Sequence, residues 1–393
     1  MFGQLPRELQ LQILKLCPSL ESLWSLVQAS PSMSVVLNGY SLEIVDTVLD
    51  QTVPVQTRRL MRAVLRAKAS TFPASLSEAR TIATMDPAPW TEFPSGSAQG
   101  KVVRSFLATV DNIHTWSHAC LGHLIRRSLE LRPLTLVALG SGWTPLEQFQ
   151  AAERHDEQYQ PPSTGPPSWV EEQRMIKAFW RLQFFLELQS AGARGRLGEQ
   201  ENKDEDLDED LDEDLEREGW SWQDLYILSS SIGEFHELFG FEQQQLLTAY
   251  DFFLSVTSQI STATSTSFEI TRPEDSYGLP TITKTVTESS PAASCAEQPS
   301  FGSREDTFHQ GSEYLDREPT SYEFYDFMSN RDLRGSPLLG VPFEPYRKFG
   351  FAIWDDQRVA DLGFRAPGPS SVFKNRRFYY FRWHSILPEE VSI

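Results

Sequence analysis

Between Ser168 and Gln189 the residues Met175, Ile176, Phe179, Trp180, Leu182, Phe185 and Leu186 recur at helical spacing and cover more than one face. A helix that is apolar on several sides must be surrounded by other elements, so this segment predicts the central member of a helical core. Its neighbours read the same way with one buried stripe each. From Lys101 to Leu131, Val103, Phe106, Leu107, Val110, Ile113, Cys120 and Leu124 step by three and four. From Trp222 to Phe239 and from Glu242 to Val256 two further helices are expected, with Gly240 as the break between them. Near the end, Asp355 is placed to cap a short helix carrying Val359 and Leu362 and stopped by Gly363. The fold class expected is mainly α, and no repeat of roughly 20 to 50 residues suggests a solenoid.

The helical blocks are separated by stretches of different composition. Glu199 to Glu218 holds 13 acidic residues against Lys203 and Arg217, so this tract carries -11 of the chain's formal -19. Its three leucines, Leu207, Leu211 and Leu215, bury too little to offset chain entropy, and the sequence predicts a disordered insertion. In Thr257 to Ser303, 19 of 47 residues are Ser or Thr, which reads as linker, with a short edge strand allowed within Pro280 to Thr287. Pro87 to Gly100 and Gln160 to Pro167 are shorter interruptions. The 393 residues, 40% hydrophobic, suffice for one large core or two modest ones.

The N-terminal stretch carries the most specific pattern. Leu5-Pro6-Arg7-Glu8-Leu9 is followed by Leu11, Ile13, Leu14 and Leu16, then Pro18. Proline is tolerated in a first helical turn and Glu8 suits the positive end of the helix dipole, so a helix starts here. Leu9, Ile13 and Leu16 share one face. Pro18 stops the helix, Ser19 is placed to cap a second one lined by Leu20, Leu23, Trp24 and Val27, and Pro31 ends that one. After Ser34, the residues Val35, Val36, Leu37 and Tyr40 begin a third. Three short helices bury only a small core, which leaves apolar side chains for a partner.

In Leu5, Pro6, Glu8, Leu9, Ile13 and Leu14, with Leu23 and Trp24 in the second helix, the chain resembles the F-box, the module by which substrate receptors dock on the Skp-type adaptor of cullin-RING ubiquitin ligases. Glu171-Glu172-Gln173-Arg174, Ala178-Phe179-Trp180-Arg181-Leu182, Phe235-His236-Glu237-Leu238 and Gly350-Phe351-Ala352-Ile353-Trp354-Asp355 are similar to segments of uncharacterised fungal F-box-like proteins. The resemblance implies a three-helix F-box-like module at 1–45 followed by a helical body; periodicity and composition place an irregular helical domain over 46–191 and 220–256, interrupted by a disordered acidic insertion at 192–219. A Ser/Thr-rich low-complexity linker is expected at 257–335, and a C-terminal block at 336–393 packing on the helical domain. It implies a non-enzymatic substrate-recruiting adaptor, with those eight residues binding a Skp-type partner and the body receiving an unknown protein substrate. The alternative is a non-catalytic helical scaffold whose acidic tract binds basic partners.

Other chemistry finds little support. His114 and His118 share a helix face as a zinc pair would, but Cys120 lies about 200° round from His118 and His123 cannot join, so no metal is expected. An EF-hand loop counted from Asp204 has Glu209 where glycine is needed. Gly140-Ser141-Gly142 lacks the GxSxG spacing, His236-Glu237-Leu238-Phe239-Gly240 lacks the second histidine of HExxH, and neither a phosphate-binding loop nor a dinucleotide cradle is present. No catalytic residue and no cofactor are expected. The basic aromatic run Lys374 to Trp383 could pair phosphates and stack bases, but it reads better as a packed element with charged edges, and the negative total opposes nucleic-acid binding. Cys17, Cys120 and Cys295 are widely spaced, which favours a reducing compartment. With no apolar leader in Met1 to Gln10 and no uncharged apolar run of about 18 residues, a soluble protein of the cytoplasm or nucleus, without membrane contact, is expected.

Overall fold

The computed structural model describes residues 4–85, 97–135, 157–198, 219–262, 268–271, 279, 281–284, 315–329, 338–365 and 382–387. The chain is mainly α. Its helices are α1 (Arg7–Lys15), α2 (Leu20–Ala29), α3 (Pro31–Thr52), α4 (Val55–Lys68), α5 (Leu76–Thr84), α6 (Ser97–Leu129), α7 (Trp169–Ala193), α8 (Trp222–Ser230), α9 (Ile232–His236), α10 (Gly240–Thr262), α11 (Thr320–Ser329), α12 (Glu344–Arg347) and α13 (Asp356–Asp361). Two short antiparallel ladders accompany them, β1 (Leu134–Thr135) with β2 (Glu157–Gln158) and β3 (Phe268–Thr271) with β4 (Thr281–Lys284). The second ladder pairs Ile270 with Ile282 and contains the strand allowed for Pro280 to Thr287.

Local chemistry accounts for several helix ends. The Ser19 hydroxyl accepts the Ser22 N–H at 3.2 Å and starts α2. Asp355 accepts the Arg358 N–H at 2.9 Å and starts α13. Pro31 does more than end α2, because it occupies the first turn of α3, where its missing N–H costs nothing. The helix expected over Trp222 to Phe239 is broken at Ser231, whose hydroxyl accepts the Glu234 N–H and caps α9.

The chain forms two compact units, neither of them continuous in sequence. The first draws on 1–116, 176–238 and 257–312, the second on 117–175, 239–256 and 313–393. In the first, α1 and α2 both pack on α3, and Leu14, Leu23, Met33, Leu37, Ile44 and Val48 are fully enclosed. Its aromatic centre places Phe106 5.7 Å from Trp180 and Trp116 6.1 Å from Phe179, in keeping with a central helix over Ser168 to Gln189. In the second, Tyr346, Phe351, Phe364 and Trp383 form one cluster, with Phe351 4.7 Å from Trp383 and 5.0 Å from Phe364.

Three sequence expectations need correction. A module edge at residue 45 falls inside α3, because the apolar stripe Ile44, Val45, Val48 and Leu49 carries the helix on to Thr52. The stretch 257–335 is not linker throughout, since α10 runs to Thr262 and α11 buries Phe324, Tyr325 and Met328. The body does not lie in two sequential blocks around an insertion, because 176–238 groups with the N-terminal helices. The acidic tract Glu199 to Glu218 lies outside the described residues.

Candidate functional site

Helix α1 carries apolar side chains on two adjoining stripes. Gln10 and Leu14 are one helical face, continued by Cys17 just past the helix end, and all three are buried. Leu9 and Leu16 lie on the next face, 51% and 70% exposed, with Ile13 half-buried between the two. Local periodicity alone could not decide which stripe turns inward; packing on α3 decides it. Gln10 is tolerated inside because its amide donates to the Leu5 carbonyl at 2.8 Å.

The residues singled out in the sequence therefore divide. Pro6, Glu8 and Leu9 are exposed, and Leu5, Ile13 and Trp24 are half-buried. Leu14 and Leu23 are wholly enclosed, so they hold the helices together and cannot themselves touch a partner. Three large exposed apolar residues went unselected: Leu16, which caps the end of α1, and Val35 and Tyr40 on α3, Val35 being 62% exposed. Tyr40, 38% exposed, is tied to α1 because the Arg7 guanidinium lies over its ring at 5.3 Å. Tyr40 also interrupts α3, with φ -134° and ψ 30°. Lys15 pairs with Glu43 at 2.5 Å, so both ends of α1 are fastened to α3 by charged residues.

The inner side of these helices rests on the part of α6 that belongs to the same unit, residues 97–116. Arg104 donates through Nε to the Asn38 side-chain oxygen at 3.1 Å and through Nη2 to the Ser34 carbonyl at 3.3 Å. Gly100 permits this approach, since a Cβ there would lie 2.9 Å from Asn38. Glu21 on α2 pairs with His114 on α6. Burial alone would raise the Glu21 pKa, but the hydrogen bond and charge of His114, helped by Ser19, outweigh it and hold the carboxyl down at about 2. His114 is thus engaged with a carboxylate, His123 faces the Phe252 ring at 5.5 Å, and Cys120 is enclosed with its thiol pKa raised by burial. Among the described residues no three metal-binding side chains converge.

Glu171 to Arg174 and Gly350 to Asp355 hold structure in the second unit. Glu171 accepts the Asp355 N–H at 3.0 Å and the Arg358 Nε–H at 2.8 Å, while Arg174 donates to the carbonyls of Ile353 and Trp354 at 3.0 and 3.1 Å. Gly350 has φ +84°, and any Cβ there would meet the Trp354 ring at 2.3 Å. These two segments are thus the two sides of one buried lock. Within the basic aromatic run, Lys374 to Phe381 lie outside the described residues, while Trp383 is buried and its indole N–H donates to the Phe364 carbonyl at 3.1 Å. Arg382 donates to the Gly363 carbonyl and lies over the Tyr159 ring at 4.9 Å, so this end is packed as an ordinary core element.

Among the described residues no helix is long and apolar enough to cross a membrane. Set against family models, curated proteins and solved structures, the chain matches none.

Proposed function

We propose that the chain is a non-catalytic, substrate-recruiting adaptor of a cullin-RING ubiquitin ligase, docking a Skp-type subunit through the outward face of α1. The observation that carries this reading is the division of α1 and its C-terminal cap into a buried side at Gln10, Leu14 and Cys17 and an exposed apolar side at Leu9 and Leu16. Exposed aliphatic side chains gain free energy only when another surface covers them. Pro6 at the helix entry and Val35 and Tyr40 on α3 are exposed as well. Leu14 and Leu23, which belong to the same F-box-like pattern, act from inside by fixing the helices that present the face. The proposed place of work is the cytoplasm or nucleus. No catalytic group is required, because tethering a substrate beside a conjugating enzyme raises its effective concentration.

Co-precipitation of a Skp-type adaptor with the full chain tests the proposal. Leu9→Asp with Leu16→Asp should abolish recovery while the circular dichroism spectrum stays native, since both positions face solvent. Equal recovery of adaptor by the double variant removes this assignment.

A further inference from the structure

Helix α8 turns one face to the first unit and leaves the opposite one bare. Leu228 is buried and Leu225 half-buried, and both lie against Gly192 near the end of α7, where a Cβ would sit 3.5 and 3.7 Å from their side chains. Trp222 and Tyr226, four residues apart and so on one side of the helix, are 75% and 63% exposed. Ser229 and Ser230 continue that side, and their hydroxyls turn back to donate to the Tyr226 carbonyl at 2.8 and 2.7 Å. Two electron-rich rings are thus held out side by side to solvent.

The start of α8 is fixed. Trp220 is buried, and its indole N–H donates to the Pro73 carbonyl at 2.8 Å. Ser221 and Asp224 cap the helix reciprocally, the Ser221 hydroxyl accepting the Asp224 N–H at 3.1 Å and the Asp224 carboxylate accepting the Ser221 N–H at 3.2 Å. The Trp220 main-chain N–H donates to the Gly198 carbonyl at 2.9 Å. That bond joins the two ends of Glu199 to Glu218, the stretch that carries -11 of the chain's formal -19. Glu218 is four residues from Trp222, within about 14 Å by chain length, and no residue of the stretch is more than ten residues, about 35 Å, from an anchored end. Connectivity alone therefore keeps this negative charge near the two rings, and the exposed Arg194 and Arg196 offset little of it.

We infer that the Trp222–Tyr226 face of α8 is a docking site for an arginine- or lysine-rich segment of another protein. Charge complementarity chooses this occupant. A cation is attracted to the ring faces, its aliphatic stem lies along apolar surface, and the neighbouring negative field draws basic chains in while turning acidic ones away. A second copy docked through this face would set two such stretches against each other, which like charges oppose. The inference does not rest on the adaptor reading; it would stand for a scaffold equally well.

A fluorescein-labelled peptide of alternating arginine and glycine is the probe, and its polarisation is measured against the full chain over a range of salt concentrations. Binding should weaken as salt rises, and the same peptide with glutamate for arginine should not bind. Trp222→Ser with Tyr226→Ser should weaken binding at least about fivefold at fixed salt, and Trp222→Phe with Tyr226→Phe should recover most of that loss. Trp222→Ala with Tyr226→Ala serves if the serine pair loses its native circular dichroism. Replacing the acidic residues of 199–218 with their amides should weaken binding at least about tenfold. Equal binding by the serine variant assigns the peptide to the acidic stretch alone. Tighter binding after amide replacement means that the stretch covers the rings in cis, and a wild-type dimer lost in the serine variant, without peptide binding, gives the face to a second copy. Each of these results, like absence of binding to the wild type, overturns the inference.

Discussion

Glu171 has no exposed side-chain surface, and its partner Arg358 has 4%. Replacing Glu171 with alanine leaves a buried guanidinium without its counter-charge and removes the acceptors for the Asp355 and Ser168 N–H groups. Breaking a buried pair from one side costs about 3–5 kcal/mol. Arg358 keeps the carbonyls of Thr164, Gly165 and Pro166 at 3.5, 3.3 and 2.6 Å, and it lies over the Trp354 ring at 5.0 Å, which argues for the lower half of that range. With a urea slope of about 2 kcal/mol per molar, the midpoint of the second unit should fall by about 1.5–2 M. Tryptophan fluorescence is a suitable readout because Trp354 and Trp383 both lie in that unit. Glu171→Gln retains an acceptor and should fall between alanine and wild type. A midpoint moved by less than about 0.3 M in the alanine variant would refute the argument that this pair locks residues 171–174 to 350–358.

Two further outcomes follow from the same kind of reasoning. Glu21 has its folded pKa depressed to about 2, so the stability it adds is present above the ordinary carboxylate range and is lost as pH falls towards 2. Glu21→Gln should flatten the stability profile between about pH 5 and pH 2 and cost about 1–2 kcal/mol at pH 6, allowing for its partial exposure; urea midpoints across that range measure it. Gly350→Ala combines a left-handed backbone with a Cβ driven into Trp354, and a loss of about 2–5 kcal/mol, read by thermal unfolding, is expected.

Much of this was legible in the sequence where local chemistry decides the outcome. Ser19 and Asp355 cap their helices as their positions demand, Gly240 with φ +58° opens α10, and Val359 and Leu362 turn inward from α13. Where two local arrangements are nearly equivalent, the sequence was silent. Leu9, Ile13 and Leu16 formed as good a stripe as Gln10, Leu14 and Cys17, and only packing on α3 chose between them. Thr320 to Ser329 has its buried Phe324, Tyr325 and Met328 in a stretch whose composition resembled linker. The hydrogen bonds that tie the Leu279 main chain to the Asn112 and Gln183 side chains left no local signal at all, because these are ordinary residues until the fold joins them. The Glu171 and Gly350 segments lie far apart in sequence, and their meeting supplies a structural reason for both residue choices.

Hydrogen exchange of the full chain, with and without a purified Skp-type adaptor, tests the docking face most directly. Exchange should slow in residues 5–16 and 31–40, where Leu9, Leu16, Val35 and Tyr40 lie exposed, and stay unchanged in residues 171–174 and 350–358. Unaltered exchange at saturating adaptor, or protection that leaves α1 untouched, would contradict it.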